Sequence, residues 1–162
     1  MFKRSCLAVI FLTLFSYFYA GAQRFGGTPS SVKWKQINTD TVRIVFPTGL
    51  DSLAQRVALV THNLQKNYNN TIGNKIRKVS IVLQKDITLS NAYVGLGPYR
   101  SEFYLMPPQD AFELGAQNWA DNLAIHEFRH VQQYSNFNVG VSKALRVVFG
   151  ENGQALANAA SV

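Results

Sequence analysis

Apolar and polar residues alternate through Val32–Lys35 at the start of Val32–Ile37, and through Thr41–Ile44 at the start of Thr41–Phe46. A period of two sends successive side chains to opposite faces, so each stretch predicts a strand. Asn38, Thr39 and Asp40 supply turn chemistry between them, and Pro47 to Gly49 ends the second strand, which predicts a hairpin. A hairpin alone is marginal, so it must pack on later segments of the chain. From Asp51 to Tyr68 the period lengthens. Leu53, Val57, Val60, Thr61, Leu64 and Tyr68 recur at three- and four-residue spacing, predicting an amphipathic helix closed by Asn69, Asn70 and Gly73. Ile76–Leu83 returns to strand character through its β-branched residues. Ile87–Val94 reads as a strand or an irregular segment, Gly95–Pro98 as a turn, and Arg100–Met106 as a strand stopped by Pro107 and Pro108.

The helical period is clearest from Trp119 to Tyr134, a run without Gly or Pro. Asn118 is placed to cap it, with Asp121 three residues on as a loose capping box. At about 100° per residue, Trp119, Leu123, His126, His130 and Tyr134 fall in one stripe, which Ala120, Ala124, Glu127, Phe128 and Val131 widen. Asp121, Asn122, Arg129 and Gln132 fall on the other side, so the expected inner face carries both histidines and Glu127. After a turn at Asn136–Asn138, Val141–Phe149 predicts an apolar helix, and Glu151 opens an Ala-rich segment. Hairpin, helix, strands, then helices: the order predicts an α+β domain with its sheet on one side.

That helix carries His-Glu-x-x-His, with His126, Glu127 and His130 in the motif positions. Residues four apart on a helix share a face, so the two imidazoles can reach one ion. Zinc takes imidazole nitrogen at about 2.0–2.1 Å, and two His at this spacing form half of a tetrahedral site. Glu127, beside the pair, is placed to take a proton from a water that zinc acidifies to a pKa of roughly 7. Burying a carboxylate and two imidazoles without partners costs several kcal/mol, which a metal offsets. The competing reading is a chance motif whose histidines are hydrogen-bonded in an ordinary core. His62, on the earlier helix, has no acidic or His companion four residues away and reads as a surface residue.

The motif resembles that of the zincin metallopeptidases. A metzincin would need Gly at 133 and His at 136, where this chain has Gln133 and Asn136. The likeness is to the gluzincin branch, the thermolysin-like or peptidase-MA-type core, and it covers roughly Val79 to the end with only the five-residue motif being specific. It implies a zincin-like α+β fold, Zn2+ as cofactor, a peptide or protein substrate, and a Glu on a later helix as third protein ligand. Glu151, 21 positions beyond His130, is the residue so implied. Asn152 stands between it and Gly153, a departure from the Glu-Gly-x-Ala neighbourhood common in the family. The alternatives are a Glu favoured simply by the helix N-terminus and a third ligand beyond Val162. Because the chain ends inside an Ala/Asn-rich helix, the expectation is a domain incomplete at its C-terminus. Such folds also run a sheet-edge strand along the cleft, which gives Asn91–Gly95 or Ser101–Tyr104 a role in holding extended peptide.

The first 22 residues have their own logic. Lys3 and Arg4 precede an apolar run from Leu7 to Tyr19, and Ala20-Gly21-Ala22 offers a cleavage site, which predicts a signal peptide and a mature domain over 23–162. The competing reading is an uncleaved membrane anchor; the apolar run is short for the roughly 20 residues of a span, so cleavage is expected, with no stable span after it. The expected product is exported, periplasmic or at the cell surface. Gln23–Ser31 is Gly/Ser/Pro-rich and reads as a flexible mature N-terminus. The only cysteine, Cys6, goes with the signal, leaving no disulfide and no thiolate ligand. Without Lys3 and Arg4, 14 basic side chains face 9 acidic ones, a balance of +5. Lys75-Ile-Arg77-Lys78 is the only basic cluster, so no nucleic-acid partner is expected. Three readings remain open here: an exported zinc peptidase, a catalytically inactive zincin-like binding domain of the cell envelope, and a purely structural α+β domain with a chance motif.

Overall fold

The computed structural model describes residues 28–68, 72–109 and 117–159. The expected signal peptide therefore lies outside the described residues. Five strands are present, β1 (Trp34–Asn38), β2 (Val42–Pro47), β3 (Val79–Gln84), β4 (Ala92–Leu96) and β5 (Tyr99–Tyr104). Four helices accompany them among the described residues, α1 (Asp51–Tyr68), α2 (Trp119–Asn136), α3 (Gly140–Phe149) and α4 (Glu151–Ala159). The strands form one mixed sheet in the order β1-β2-β3-β5-β4. The chain is α+β.

The hairpin forms as the alternation predicts, antiparallel, with Ile37 opposite Ile44. α1 then carries the chain across to β3, which pairs parallel to β2, as a parallel neighbour requires a crossover. β5 also pairs parallel to β3, and β4 closes the far side antiparallel to β5. The period of two is visible in β3, whose Val79, Ile81 and Leu83 are buried while Ser80, Val82 and Gln84 are partly exposed. The inward residues of the sheet, with Val42, Ile44, Phe46 and Phe103, pack on Ala54 and Val57 of α1 and on Ala120, Leu123, Ala124, Phe128 and Val131 of α2. One layer of helices covers one face of the sheet. Arg43, Ser80, Arg100 and Glu102 occupy the other, joined by Arg43 to Ser80 at 2.8 Å and Arg100 to Glu102 at 2.7 Å.

Several boundaries differ from expectation, each for a local reason. Ile76 to Lys78 does not join β3, because its backbone is tied to the end of α2: Arg77 N–H donates to Ser135 Oγ (2.9 Å) and Asn136 Nδ2 donates to the Lys75 carbonyl (2.9 Å). The Ile87–Val94 segment pairs only from Ala92 on, and its strand runs to Leu96, leaving Gly97 and Pro98 as the turn. β4 is the edge strand, whereas β5 is paired on both sides. Of the two segments considered for holding a peptide, Ser101–Tyr104 therefore has no free backbone. Asn91–Gly95 lies at the open edge.

Candidate metal centre

The motif helix is anchored at its start. The Asn118 side chain accepts a hydrogen bond from Ala120 N–H at 3.0 Å, as an N-cap should. Asp121 does not complete a capping box. Its carboxylate takes both Arg56 Nε (2.8 Å) and Arg56 Nη2 (2.7 Å), a two-pronged bond that ties α2 to α1.

The inner face of α2 is rotated from the expected stripe. Its buried residues are Ala120, Leu123, Ala124, Glu127, Phe128, Val131 and Gln132. Gln132, expected outside, is only 1% exposed and accepts from Arg129 Nη1 at 3.2 Å. His126 is exposed and His130 half-buried, so only Glu127 of the three motif side chains lies inside. The reason is positional: the sheet and α1 press on one arc of the helix, and the histidines sit on the shoulder of that arc. That shoulder opens into a cleft of about 630 Å³ whose lining includes Asn91, Trp119, Leu123, His126, Glu127 and His130.

Within the cleft the two imidazoles converge. His126 Nε2 and His130 Nε2 are 3.3 Å apart, with ring planes 72° to one another. Two nitrogens bound to one tetrahedral ion at 2.0–2.1 Å would stand about 3.3 Å apart, so the pair fits a shared zinc. The same distance also admits a ring-to-ring hydrogen bond in which one imidazole carries its proton on Nε2. His130 Nδ1 lies 3.4 Å from Gln133 Oε1, and its ring stacks on Tyr134 with centroids 6.0 Å apart. A partner on Nδ1 favours the tautomer that leaves Nε2 free to ligate.

Glu127 is 4% exposed, and its Oε2 is buried with no hydrogen-bond partner. Burial raises its carboxyl above the ordinary carboxylate range, against the smaller opposing effect of His130 and His126. The two convergent nitrogens are the donors that fit an ion, and the desolvated Glu127 carboxylate stands near them as a proton acceptor.

Glu151 is placed elsewhere. One of its oxygens is paired with Arg77 Nη2 and the other accepts from Tyr99 N–H at 2.8 Å. Burial acts to raise its carboxyl, but these contacts together outweigh that effect and hold it below the usual range. Among the described residues, no third His, Cys, Asp or Glu joins the imidazoles in a metal-sized group. His62 is exposed on α1, away from the cleft lining.

Asn91, named only as the start of an edge segment that could hold peptide, also lines the histidine cleft. Gln133 and Tyr134 were not singled out as site residues, though they stand three and four positions after His130 and so share its side of the helix. No family model matches the chain, and neither a curated protein nor a solved structure does.

Proposed function

We propose that this chain carries the core of an exported zinc-dependent peptidase of the gluzincin kind, hydrolysing peptide bonds. The observation that carries the reading is the 3.3 Å convergence of His126 and His130 Nε2 beside the unpartnered Glu127 carboxylate. His126 and His130 would hold the metal. Zinc bound there supplies Lewis acidity, polarising a carbonyl and lowering the pKa of water towards about 7.

The chain's own residues do the rest. Glu127 takes the proton of the water that adds to the scissile carbonyl carbon, and returns it to the amine nitrogen as the C–N bond breaks. Its raised proton affinity suits it to hold that proton between the two events. The position of β4 at the sheet edge supports a substrate held extended, by main-chain hydrogen bonds alongside Asn91–Gly95. Asn91, at the start of that segment, also lines the histidine cleft. The third protein ligand is not assigned to Glu151, whose oxygens are engaged with Arg77 and Tyr99.

That engagement favours a second reading, a zincin-like scaffold that binds envelope components without turnover. The two are separated by assay. The peptidase reading expects cleavage of a casein-type substrate, blocked by phenanthroline and restored by zinc. It further expects Glu127→Gln to retain zinc while losing hydrolysis by at least about 100-fold, the low end for a general base. His126→Ala, a change on an exposed side chain, should lose zinc while shifting metal-free stability by no more than about 0.5 kcal/mol. Full activity in a zinc-loaded Glu127→Gln protein would remove Glu127 from the mechanism, and a stable chain that binds zinc but cleaves nothing would leave the binding-domain reading standing.

A further inference from the structure

The one basic cluster of the chain, Lys75 to Lys78, plays no part in the reaction above. The structure brings Lys75 and Arg77 to a pocket of about 280 Å³, together with Arg146 of α3, Tyr99 of β5, and Tyr134 and Ser135 of α2. Three cations from segments distant in sequence thus share one small pocket. Glu151 pairs with Arg77 and also attracts Arg146, one carboxylate against three cations. Lys75 and Arg146 form no ion pair among the described residues, so the pocket keeps a surplus of positive charge.

A second observation points the same way. Tyr99 Oη is buried beside Ser135, at a geometry that makes no hydrogen bond, although Ser135 acts on its titration. The Arg77 guanidinium lies over the Tyr99 ring, 4.2 Å from its centroid. Ser135 Oγ, close to the phenol, gives its hydrogen to the Val131 carbonyl (2.6 Å) and accepts Arg77 N–H (2.9 Å). Burial raises the Tyr99 hydroxyl above its ordinary value, against the lowering effects of Ser135 and Arg77, so it stays protonated as a donor. A buried donor left unmade costs free energy that an arriving acceptor recovers. Beside Lys75 and Arg146, whose charge a single Glu151 shared with Arg77 does not balance, the acceptor of choice is a negatively charged oxygen.

We propose that this pocket binds a small oxyanion, a carboxylate or a phosphate, between Lys75 and Arg146 with Tyr99 Oη donating to it. The site stands independently of the metal centre, although Tyr134 borders it and stacks on His130.

The test titrates the full chain with inorganic phosphate and, separately, with N-acetylglycine and its neutral amide, at fixed ionic strength, by calorimetry. Saturable binding of phosphate or of N-acetylglycine up to roughly 10 mM is expected, with none for the amide. Response to phosphate alone identifies phosphate as the source, and response to N-acetylglycine identifies a carboxylate. Tyr99→Phe and Arg146→Gln should each weaken that binding about tenfold, the loss of one charge-assisted hydrogen bond. Tyr99→Phe should leave the melting temperature of the anion-free protein unlowered, because it deletes an unpartnered hydroxyl. His126→Ala should leave anion binding intact, which keeps this site and the peptidase reading separately testable. No saturable heat with either anion, or unchanged affinity in both pocket variants, overturns the proposal.

Discussion

The least comfortable atom in the described chain is Glu127 Oε2, a carboxylate oxygen removed from water with nothing to bond. Such a group costs roughly 1–3 kcal/mol in the free protein. Replacing it by a side chain of similar length without charge, Glu127→Met, should therefore stabilise the metal-free protein by about 1–2 kcal/mol. Thermal unfolding in a chelator measures this, and a loss of stability would show that the carboxylate has a partner in solution. Glu151 is the opposite case, a carboxylate held by a cation and a backbone N–H. Its folded pKa lies below the ordinary 4.5, so its contribution is present above that value and is lost as pH falls through the lower folded value. The side chain is 36% exposed, which limits that contribution to about 1 kcal/mol after screening by solvent. Glu151→Gln should lower stability by that amount at neutral pH and have no effect in strong acid, as read from denaturant midpoints across pH. An equal loss at both extremes would place its role in packing.

At the scale of the element, α2 shows what periodicity can and cannot deliver. Its existence, its cap at Asn118 and the shared side of His126 and His130 were legible, because they depend on spacing and local chemistry alone. The direction of its buried arc was not. An apolar stripe that includes His126 and His130 is compatible with several rotations, and the sheet and α1 select the one that buries Gln132 and leaves His126 exposed. Strand order was likewise out of reach, since nothing local says that β3 pairs with β5 before β4. The spacing of Glu151 from His130 suited a third ligand, yet Gly150, with φ of 66°, turns the chain between α3 and α4 and the carboxylate meets Arg77 instead.

The α3–α4 crossing depends on a missing side chain. A Cβ on Gly153 would stand 2.0 Å from the Leu145 carbonyl oxygen, a backbone atom. Gly153→Ala should force the two helices apart at a cost of about 1–3 kcal/mol, the range for overpacking. Asn118→Ala, at the other end of α2's neighbourhood, should cost about 1 kcal/mol through the lost cap. Zinc affinity should survive the cap variant, because His126 lies two turns further along the helix. A cap variant that loses metal in equilibrium dialysis would mean the first turn helps orient the histidines.

At the scale of the whole molecule, one layer of helices backs a sheet whose last strand, β4, has a partner on one side only among the described residues. The histidine cleft opens at the beginning of that strand, through Asn91. If substrate pairs along β4, an unfolded casein-type chain should be cut readily, while the same bonds within a folded, compact protein should resist. Comparable cleavage rates for native and denatured forms of one protein, followed by gel, would argue against pairing at this edge.

If substrate does pair there, the strand's length sets a demand on it. Five residues reach about 17 Å, so whatever lies along them must already have given up its own helix or ladder over that distance. Chain ends, linkers and damaged proteins meet that demand, whereas intact domains do not. A protein built this way would sort its clientele by local looseness before any side chain is read.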